Sequence, residues 1–368
     1  MTAPLRDSGP LPRELTVLRR AAVPAHRLRM SVVVPSYNTA PYVRETLASL
    51  FAQTVRDLEV VVVDDGSRDD SVAVLAAIDD PRLTVAVQAN RGLAGSRNSG
   101  LLLSRAAVIG FCDADDLWFA RKAEQHLALL DAEPRVGLTF SYSAYLDERG
   151  AFTGQYLLSR CRAPSARDLI RRNHVGNGST VVARRDAFAR AGLFDETLGS
   201  CEDFEMWVRV AACSGYDVRL LPAVLTGYRV RPGSMSTTFD DFVRGYARAL
   251  ERFRHYVPGF TPREAARSYA ECLRIASRKA FSNGQVALSR ALFVDALRRA
   301  PSLPLRDWRA LGMLALHLGA WPLSPAGQQR FYRAVRGAMR LGFRALRSHP
   351  EKRSHGDERT ASVSSFSV

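Results

Sequence analysis

The sequence predicts an α/β fold in which a mostly parallel sheet is flanked by helices, with a helical C-terminal region after it. Three observations lead to this class. Short apolar segments alternate with amphipathic ones, the connections between them are short, and several apolar segments end in polar or acidic residues. A strand, helix and strand joined by short loops form a right-handed unit with parallel strands. Ligands bind such sheets beyond the carboxyl ends of the strands, so functional residues are expected along that edge.

Composition indicates the size of the fold, its redox compartment and whether it spans a membrane. The chain has 368 residues, 46% of them apolar, which is enough for one large domain and an appendage. Its five cysteines include no CxxC pair, which favours a reducing cytoplasm over a disulfide framework or a zinc site. No apolar run reaches the roughly 18 residues of a transmembrane helix, so we predict no membrane span.

The net charge of +15 comes almost entirely from arginine, and residues 301–368 hold 11 basic and 4 acidic side chains. Such charge attracts nucleic acid, anionic lipid or phosphorylated ligands without distinguishing among them. The sequence carries no recognised nucleic-acid module and no platform of interleaved aromatic residues. We therefore expect no nucleic-acid partner.

The hydrophobic pattern places the elements in order. We predict strands at 31–35, 58–63, 83–87, 106–111, 136–145 and 181–184. We predict helices at 42–53, 69–78 and 93–104, from about 118, from about 200, and at 244–255, 262–283 and 280–301. The pattern between 145 and 164 is irregular.

The strand at 106–111 runs directly into three carboxylates, Asp113, Asp115 and Asp116. Carboxylates this close together repel one another unless a cation lies among them. Mg²⁺ and Mn²⁺ prefer oxygen ligands and are commonly held by one or two carboxylates together with substrate phosphates. The alternative is a solvated acidic turn before a helix that starts near Trp118, and the motif alone does not separate the two.

A dinucleotide-binding Rossmann fold is the main rival. That fold needs glycines in its first strand-to-helix turn, whereas the turn here is PSYNTAP at 35–41 and has none. The glycine-rich segment 92–100 lies on the third crossover, and its glycines suit close packing of helix and sheet as well as they suit a ligand. Within it, Arg97 is a fixed cation near the acidic edge that could pair with a diphosphate.

A second acidic pair, Glu202 and Asp203, begins a helix whose apolar residues include Phe204 and Trp207. Ser200 can cap this helix, and carboxylates in a first turn are favoured by the helix dipole, so the pair has a structural explanation. The spacing places Asp203 at the rim of the buried face.

Five motifs, taken in order and spacing, resemble the inverting family 2 glycosyltransferases with the GT-A fold, of the bacterial glycan-assembly type. They are VVVPSYN at 32–38, VVDDGS at 62–67, GLAGSRNSG at 92–100, CDADD at 112–116 and GLFDETLGSCEDFEMWVRV at 192–210. The match covers about residues 30–235. Five ordered motifs are far more specific than any one of them.

The resemblance implies a nucleotide-sugar donor, a UDP-, GDP- or dTDP-sugar, held with Mg²⁺ or Mn²⁺. It assigns donor binding to Pro35, Tyr37, Asp65, Arg97, Asp113, Asp115 and Arg231. Pro35 and Tyr37 would line the nucleoside pocket, Asp65 would contact the base, and Arg97 would lie along the nucleotide.

The resemblance also implies roles in the chemistry. Asp113 and Asp115 would hold the metal, which stabilises the departing diphosphate. Asp203 would be the general base that takes the proton of the acceptor hydroxyl. Arg231 lies in a segment, 228–236, that would close over the diphosphate, although a basic surface loop is an equally good interpretation.

The function implied is transfer of a single sugar to a hydroxyl of a glycan or lipid-linked acceptor in cell-surface polysaccharide assembly. A processive synthase is not expected, because membrane spans and a Gln-x-x-Arg-Trp segment are absent from the sequence. The alternative is a non-catalytic protein that binds a nucleotide sugar or glycan with the same fold. We expect a cytoplasmic location, with contact to the inner face of the membrane as an open question.

The predicted domains are a disordered leader at 1–29, a GT-A catalytic domain at 30–239, a helical region at 240–347 and a disordered tail at 348–368. The leader lacks the apolar core of a signal peptide. Between 329 and 347, arginines three or four residues apart form one stripe opposite apolar residues. This stripe predicts a helix on an anionic membrane surface or, equally, one packed on its neighbours.

Overall fold

The computed structural model describes residues 14–231, 239–306, 308–320, 324, 327 and 330–335 of the chain. Within these residues, ten strands form one mixed sheet. They are β1 (Thr16–Arg19), β2 (Met30–Ser36), β3 (Leu58–Asp64), β4 (Leu83–Val87), β5 (Val108–Phe111), β6 (Leu117–Trp118), β7 (Val136–Leu146), β8 (Phe152–Leu157), β9 (Val181–Arg184) and β10 (Asp217–Arg229).

The described helices flank this sheet and then continue as a C-terminal helical region. They are α1 (Val43–Phe51), α2 (Ser71–Ala76), α3 (Gly92–Leu103), α4 (Lys122–Ala132), α5 (Ala166–Arg171), α6 (Arg185–Ala191), α7 (Glu202–Cys213), α8 (Phe239–Tyr256), α9 (Pro262–Ser282), α10 (Val286–Arg299), α11 (Leu303–Arg306) and α12 (Trp308–Ala320). In the described part of the chain, none of them is long and apolar enough to cross a bilayer.

The strand order is β1-β4-β3-β2-β5-β9-β7-β10-β6, with β8 paired to β7. Strands β4, β3, β2 and β5 are parallel neighbours, as are β7 and β10, while β9 runs antiparallel between β5 and β7. This topology confirms the predicted α/β fold with its largely parallel sheet and its helical C-terminal region.

Strand β2 shows why the apolar runs in the sequence are continuous rather than alternating. Val33 packs in one core on one face of the sheet, whereas Val32 and Val34 pack in a second core on the other face. Because helices cover both faces of the parallel strands, both sets of side chains are buried. The polar residues are thereby left to the strand ends, where the site lies.

The predicted disorder of residues 1–29 is wrong for the part that the structure describes. Strand β1 pairs antiparallel with β4, and the Arg105 guanidinium donates hydrogen bonds to the carbonyls of Ala21 and Val23. The pairing is long-range, so the polar composition of this segment gave no sign of it. Residues 1–13 lie outside the described residues.

The structure corrects three further local predictions. Trp118 lies in strand β6 rather than at a helix start, and α4 begins only at Lys122. Strands β8 and β10 fall where no strand was predicted. In β10 the register with β7 shifts between Leu221 and Val224, around a proline that cannot donate to the ladder. The bulge broke the sequence periodicity on which a strand prediction depends.

The helical region packs directly on the domain that precedes it. The Tyr246 ring of α8 stacks on Phe204 of α7 at 4.7 Å between centroids, and Tyr246 is also hydrogen-bonded to Ser268 of α9 at 2.9 Å. Helix α8 therefore covers the first turn of α7, the helix that begins with the second acidic pair.

The structure describes residues 330–335 of the predicted basic stripe at 329–347. In the described residues 330–335, Phe331 and Val335 pack against Phe281 and Tyr332, as the packing alternative requires. Residues 336–347 lie outside the described residues, so the membrane alternative stays a prediction for them.

Candidate active site

The first acidic motif forms a tight turn at the carboxyl end of β5. The Asp116 N–H donates to the Asp113 carbonyl at 2.9 Å, and the Asp113 N–H donates to Ser179 Oγ at 2.9 Å. Ser179 belongs to the 3₁₀ turn Gly178–Thr180 that leads into β9. The orientation of the turn thus depends on a neighbouring strand as well as on its own residues.

Arg97 joins the two acidic motifs. Its guanidinium donates to Asp113 Oδ1 at 2.9 Å and to Glu202 Oε1 at 2.6 Å, and the side chain is only 1% exposed. Burial opposes the charge, but Asp113 and Glu202 outweigh it and raise the pKa of Arg97 above its usual value. The predicted contact of Arg97 with a nucleotide stays a prediction, and the structure adds that its guanidinium pairs with both acidic motifs.

Asp115 is held by two arginines, Arg229 at the end of β10 and Arg231 just after it. Arg231 Nε donates to Asp115 Oδ2 at 2.6 Å, and Arg229 Nε donates to the Asp115 carbonyl at 2.7 Å. Both guanidinium groups lie over the Tyr42 ring, at 5.4 Å for Arg229 and 5.3 Å for Arg231. Burial, and then the nearby charge of Asp113, raises the pKa of Asp115, while Arg231 opposes the shift.

Asp116 has a different environment from its two neighbours. It is fully buried, and one carboxylate oxygen accepts the N–H of Arg229 at 2.9 Å. Burial, followed by the charges of Asp115 and Asp113, raises the pKa of Asp116 well above its usual value. Asp116 therefore holds the main chain of Arg229 in register with the acidic turn.

Asp203 is half-buried in the first turn of α7. Burial, and then the charge of Glu202, raises the pKa of Asp203 to about 7, against the opposing effect of Arg97. The predicted Ser200 cap is wrong: the residue before the helix is Cys201, in a left-handed conformation with φ of 62°, and it makes no side-chain cap. A carboxylate with a pKa near 7 can exchange a proton at neutral pH.

The residues predicted to hold the nucleoside lie at the ends of β2 and β3. Asp65 is buried and accepts hydrogen bonds from Gln88 Nε2 at 2.7 Å and the Arg91 N–H at 3.0 Å. Pro35 is buried within β2, whereas Tyr37, two residues later, is 42% exposed. These residues share one edge with the acidic turn, although their contact with a nucleoside stays a prediction.

Sequence reasoning missed four contributors to this site: Tyr42, Ser179, Glu202 as the partner of Arg97, and Arg229. Each acts through a residue far away in the chain. Composition and periodicity carry no trace of such pairing, and only the position of Arg229 two residues before Arg231 could have drawn attention to it.

The donor set at the acidic turn suits a divalent cation only in part. Asp113 and Asp115 offer hard oxygen atoms at one strand end, and their charges interact. Among the described residues, no group of three or more His, Cys, Asp or Glu side chains could hold a metal ion. Two carboxylates fit Mg²⁺ or Mn²⁺ when substrate phosphates and water complete the coordination.

An α/β sheet with a carboxylate turn at the end of a central strand, facing a second acidic pair at a helix start, is the arrangement of the GT-A fold. Residues 31–193, somewhat less than half of the chain, match the model of glycosyl transferase family 2. The match ends before α7, so it does not include Asp203.

Two relatives illustrate the similarity. The chain is 26% identical over 229 residues to UDP-Glc:alpha-D-GlcNAc-diphosphoundecaprenol beta-1,3-glucosyltransferase WfaP of Escherichia coli, covering 58% of this chain and 83% of that protein. It is 33% identical over 219 residues to the uncharacterized glycosyltransferase EpsJ of Bacillus subtilis, covering 56% of this chain and 62% of that protein. The match thus spans less than two thirds of EpsJ.

Two solved structures share the fold. Residues 1–349 of S. aureus TarS, in complex with UDP-GlcNAc, match with a TM-score of 0.56 at 19% identity, covering 86% of this chain and 92% of that one. The mannosyltransferase PcManGT from Pyrobaculum calidifontis, in complex with GDP-Man and Mn²⁺, matches with a TM-score of 0.52 at 22% identity, covering 85% and 87%. At these identities the likeness shows the fold alone.

We predict that Arg97→Gln lowers the free energy of unfolding by about 3–5 kcal/mol, because it leaves the buried Glu202 carboxylate without a cation. Arg91→Gln is the matched control. It removes a pair with Glu196 in which both side chains are about a third exposed, and should cost no more than about 1 kcal/mol. Urea denaturation of both variants measures the two losses of unfolding free energy. Equal losses would show that burial of the Arg97 ion pairs does not determine their contribution to stability.

Proposed function

We propose that this protein is a metal-dependent, inverting glycosyltransferase that moves one sugar from a nucleotide-sugar donor to a hydroxyl of a glycan or lipid-linked acceptor in cell-surface glycan assembly. The observation that carries the proposal is the bridge from Asp113 through Arg97 to Glu202. It holds the carboxylates suited to a metal and diphosphate beside the helix turn that presents Asp203.

In the proposed reaction, Asp203 takes the proton of the acceptor hydroxyl as its oxygen attacks the anomeric carbon. The bond from that carbon to the donor diphosphate breaks, and the nucleoside diphosphate leaves from the opposite face. Mg²⁺ or Mn²⁺, held by Asp113 and Asp115, would supply positive charge to the leaving group. The exposed ring of Tyr37 and the buried Asp65 and Pro35 would shape the nucleoside end.

Arg231 has a further place in this proposal. Its guanidinium pairs with Asp115 and is a quarter exposed, so it can reach solvent on one side. A guanidinium suits a diphosphate as well as a carboxylate, because both accept paired hydrogen bonds. We therefore assign Arg231 to the donor diphosphate, consistent with its predicted role.

The printed names of the relatives guide the choice of substrates. WfaP is named for UDP-Glc and a diphosphoundecaprenol-linked GlcNAc, and the two structural neighbours were solved with UDP-GlcNAc and with GDP-Man. We propose a nucleotide-sugar donor of this kind and a membrane-associated acceptor reached from the cytoplasm. A panel of UDP-, GDP- and dTDP-sugars, scored by donor hydrolysis and by the anomeric configuration of the product in NMR, identifies the donor and tests inversion.

We predict that Asp115→Asn abolishes turnover and Mn²⁺-dependent donor binding, because a neutral amide is a much weaker ligand for a hard cation. Isothermal titration of the donor with and without Mn²⁺ measures the effect. Asp131→Asn, at a largely exposed carboxylate on α4, is the control and should behave as the wild type. Near-normal turnover of the wild-type enzyme in excess chelator would refute the metal requirement.

We predict that Asp203→Asn keeps donor affinity within a few-fold yet lowers the rate of transfer by roughly 10²-fold or more, the usual scale for a lost general base. Because the base must be unprotonated and the pKa of Asp203 is about 7, wild-type kcat/KM should fall roughly tenfold per pH unit below about 7. The variant should lack this limb. A collapse of donor affinity in Asp203→Asn would instead place Asp203 in the donor site.

A further inference from the structure

A cleft of about 280 Å³ lies between α8 and the loop that leads into α7. Its lining residues are Leu198, Gly199, Ser200, Asp241, Arg244, Gly245 and Arg248. The loop wall ends three residues before Asp203, and the helix wall consists of residues one turn apart on a single face of α8. None of these residues has a role in the donor site described above.

Close packing fixes the two walls against each other. A Cβ atom on Gly245 would come within 2.4 Å of the Ser200 carbonyl oxygen, so this position of α8 tolerates no side chain without movement of the loop. Cys201 Sγ lies 3.6 Å from the Phe242 carbonyl, and Cys201 itself has the left-handed φ of 62°. The geometry of the cleft and the approach of the chain to Glu202 and Asp203 are therefore set by the same contacts.

Among the described residues, the charges along α8 leave one guanidinium, that of Arg248, without a carboxylate. Arg244 pairs with Asp241 at 2.6 Å, and Arg252, which lies one turn beyond the cleft, pairs with Asp195 at 2.8 Å. Arg248 lies between them and has no ion-pair partner among the residues that the structure describes. The cleft thus carries net positive charge, and it is large enough for a phosphate group.

We propose that this cleft binds a phosphate group of the acceptor substrate through Arg248, and that it thereby presents the acceptor hydroxyl to Asp203. The inference rests on the proposed function and names the acceptor class for it. A guanidinium forms paired, charge-assisted hydrogen bonds with phosphate oxygens. The donor diphosphate is assigned to the opposite side of the Arg97 bridge, at Asp115 and Arg231, so a second phosphate site belongs to the other substrate.

The test uses the full chain and two small probes: phenyl phosphate, which mimics a terminal phosphate, and dimethyl phosphate, which mimics a phosphodiester. Binding is measured by isothermal titration and by ³¹P NMR. We expect saturable binding of one or both probes, and at least a tenfold weakening in Arg248→Gln, because a charge-assisted contact is lost. The probe that binds more tightly identifies a terminal or an internal acceptor phosphate.

Arg298→Gln removes another exposed arginine, from α10, and is the matched control. It should keep the wild-type affinity for the probes. Absence of saturable binding, unchanged affinity in Arg248→Gln, or equal loss in Arg298→Gln would overturn the proposal. UDP binding and donor hydrolysis are measured in parallel. If both persist while the probes fail to bind, the inference fails and the proposed function stands. If the probes bind but UDP binding and donor hydrolysis are absent, the proposed function fails.

Discussion

The buried ion bridge centred on Arg97 is the constraint on which the rest of the site depends. A guanidinium that is 1% exposed is stable only with its charge compensated, and here Asp113 and Glu202 compensate it from two sides. These partners lie 16 and 105 residues away along the chain. The bridge therefore fixes the end of β5 relative to the start of α7. These two elements carry the groups that the proposed chemistry requires, namely the carboxylates for the metal and Asp203.

Residues of the 3₁₀ turn Gly178–Thr180 pack against this bridge and hold it in place. Ser179 accepts the Asp113 N–H, and in the same 3₁₀ turn a Cβ atom on Gly178 would lie 2.7 Å from the Arg97 guanidinium. The buried Lys122 ammonium donates to the Thr180 carbonyl at 3.1 Å and to Thr226 Oγ1 at 3.0 Å. It thus holds the turn to β10, the strand that carries Arg229 to the acidic motif. Burial lowers the pKa of Lys122 to about 7, as expected for an ammonium surrounded by neutral oxygens.

The parts of the fold that depend on local pattern could be predicted from the sequence. The apolar runs of β2 and β3 and the short crossovers between them give the parallel half of the sheet, because burial on both faces leaves a continuous signature. The position of Asp113 and Asp115 at a strand end followed from the same pattern. Strand β10, with its bulge, and strand β1, which is stabilised by pairing at the sheet edge, have no such local signature.

The roles of individual charges were harder to predict, for the same physical reason. Arg97 was predicted as a fixed cation near the acidic edge, but its pairing with the distant Glu202 was not. The pairing of Arg231 with Asp115, and the position of Arg229 and Arg231 over Tyr42, arise only when β10 pairs with β6 beside the acidic turn. Charge pairing between distant segments is a property of the fold, and the sequence pattern reports it only after the topology is known.

A double-mutant cycle between Asp113→Asn and Glu202→Gln tests the central claim most directly, because these side chains are linked through Arg97. Either single change leaves Arg97 with one carboxylate, whereas the double change leaves a buried guanidinium with none. The account predicts that the loss of unfolding free energy in the double variant exceeds the sum of the single losses by about 1 kcal/mol or more. Losses that add within about 0.5 kcal/mol would show that the two acidic motifs are independent, and would contradict it.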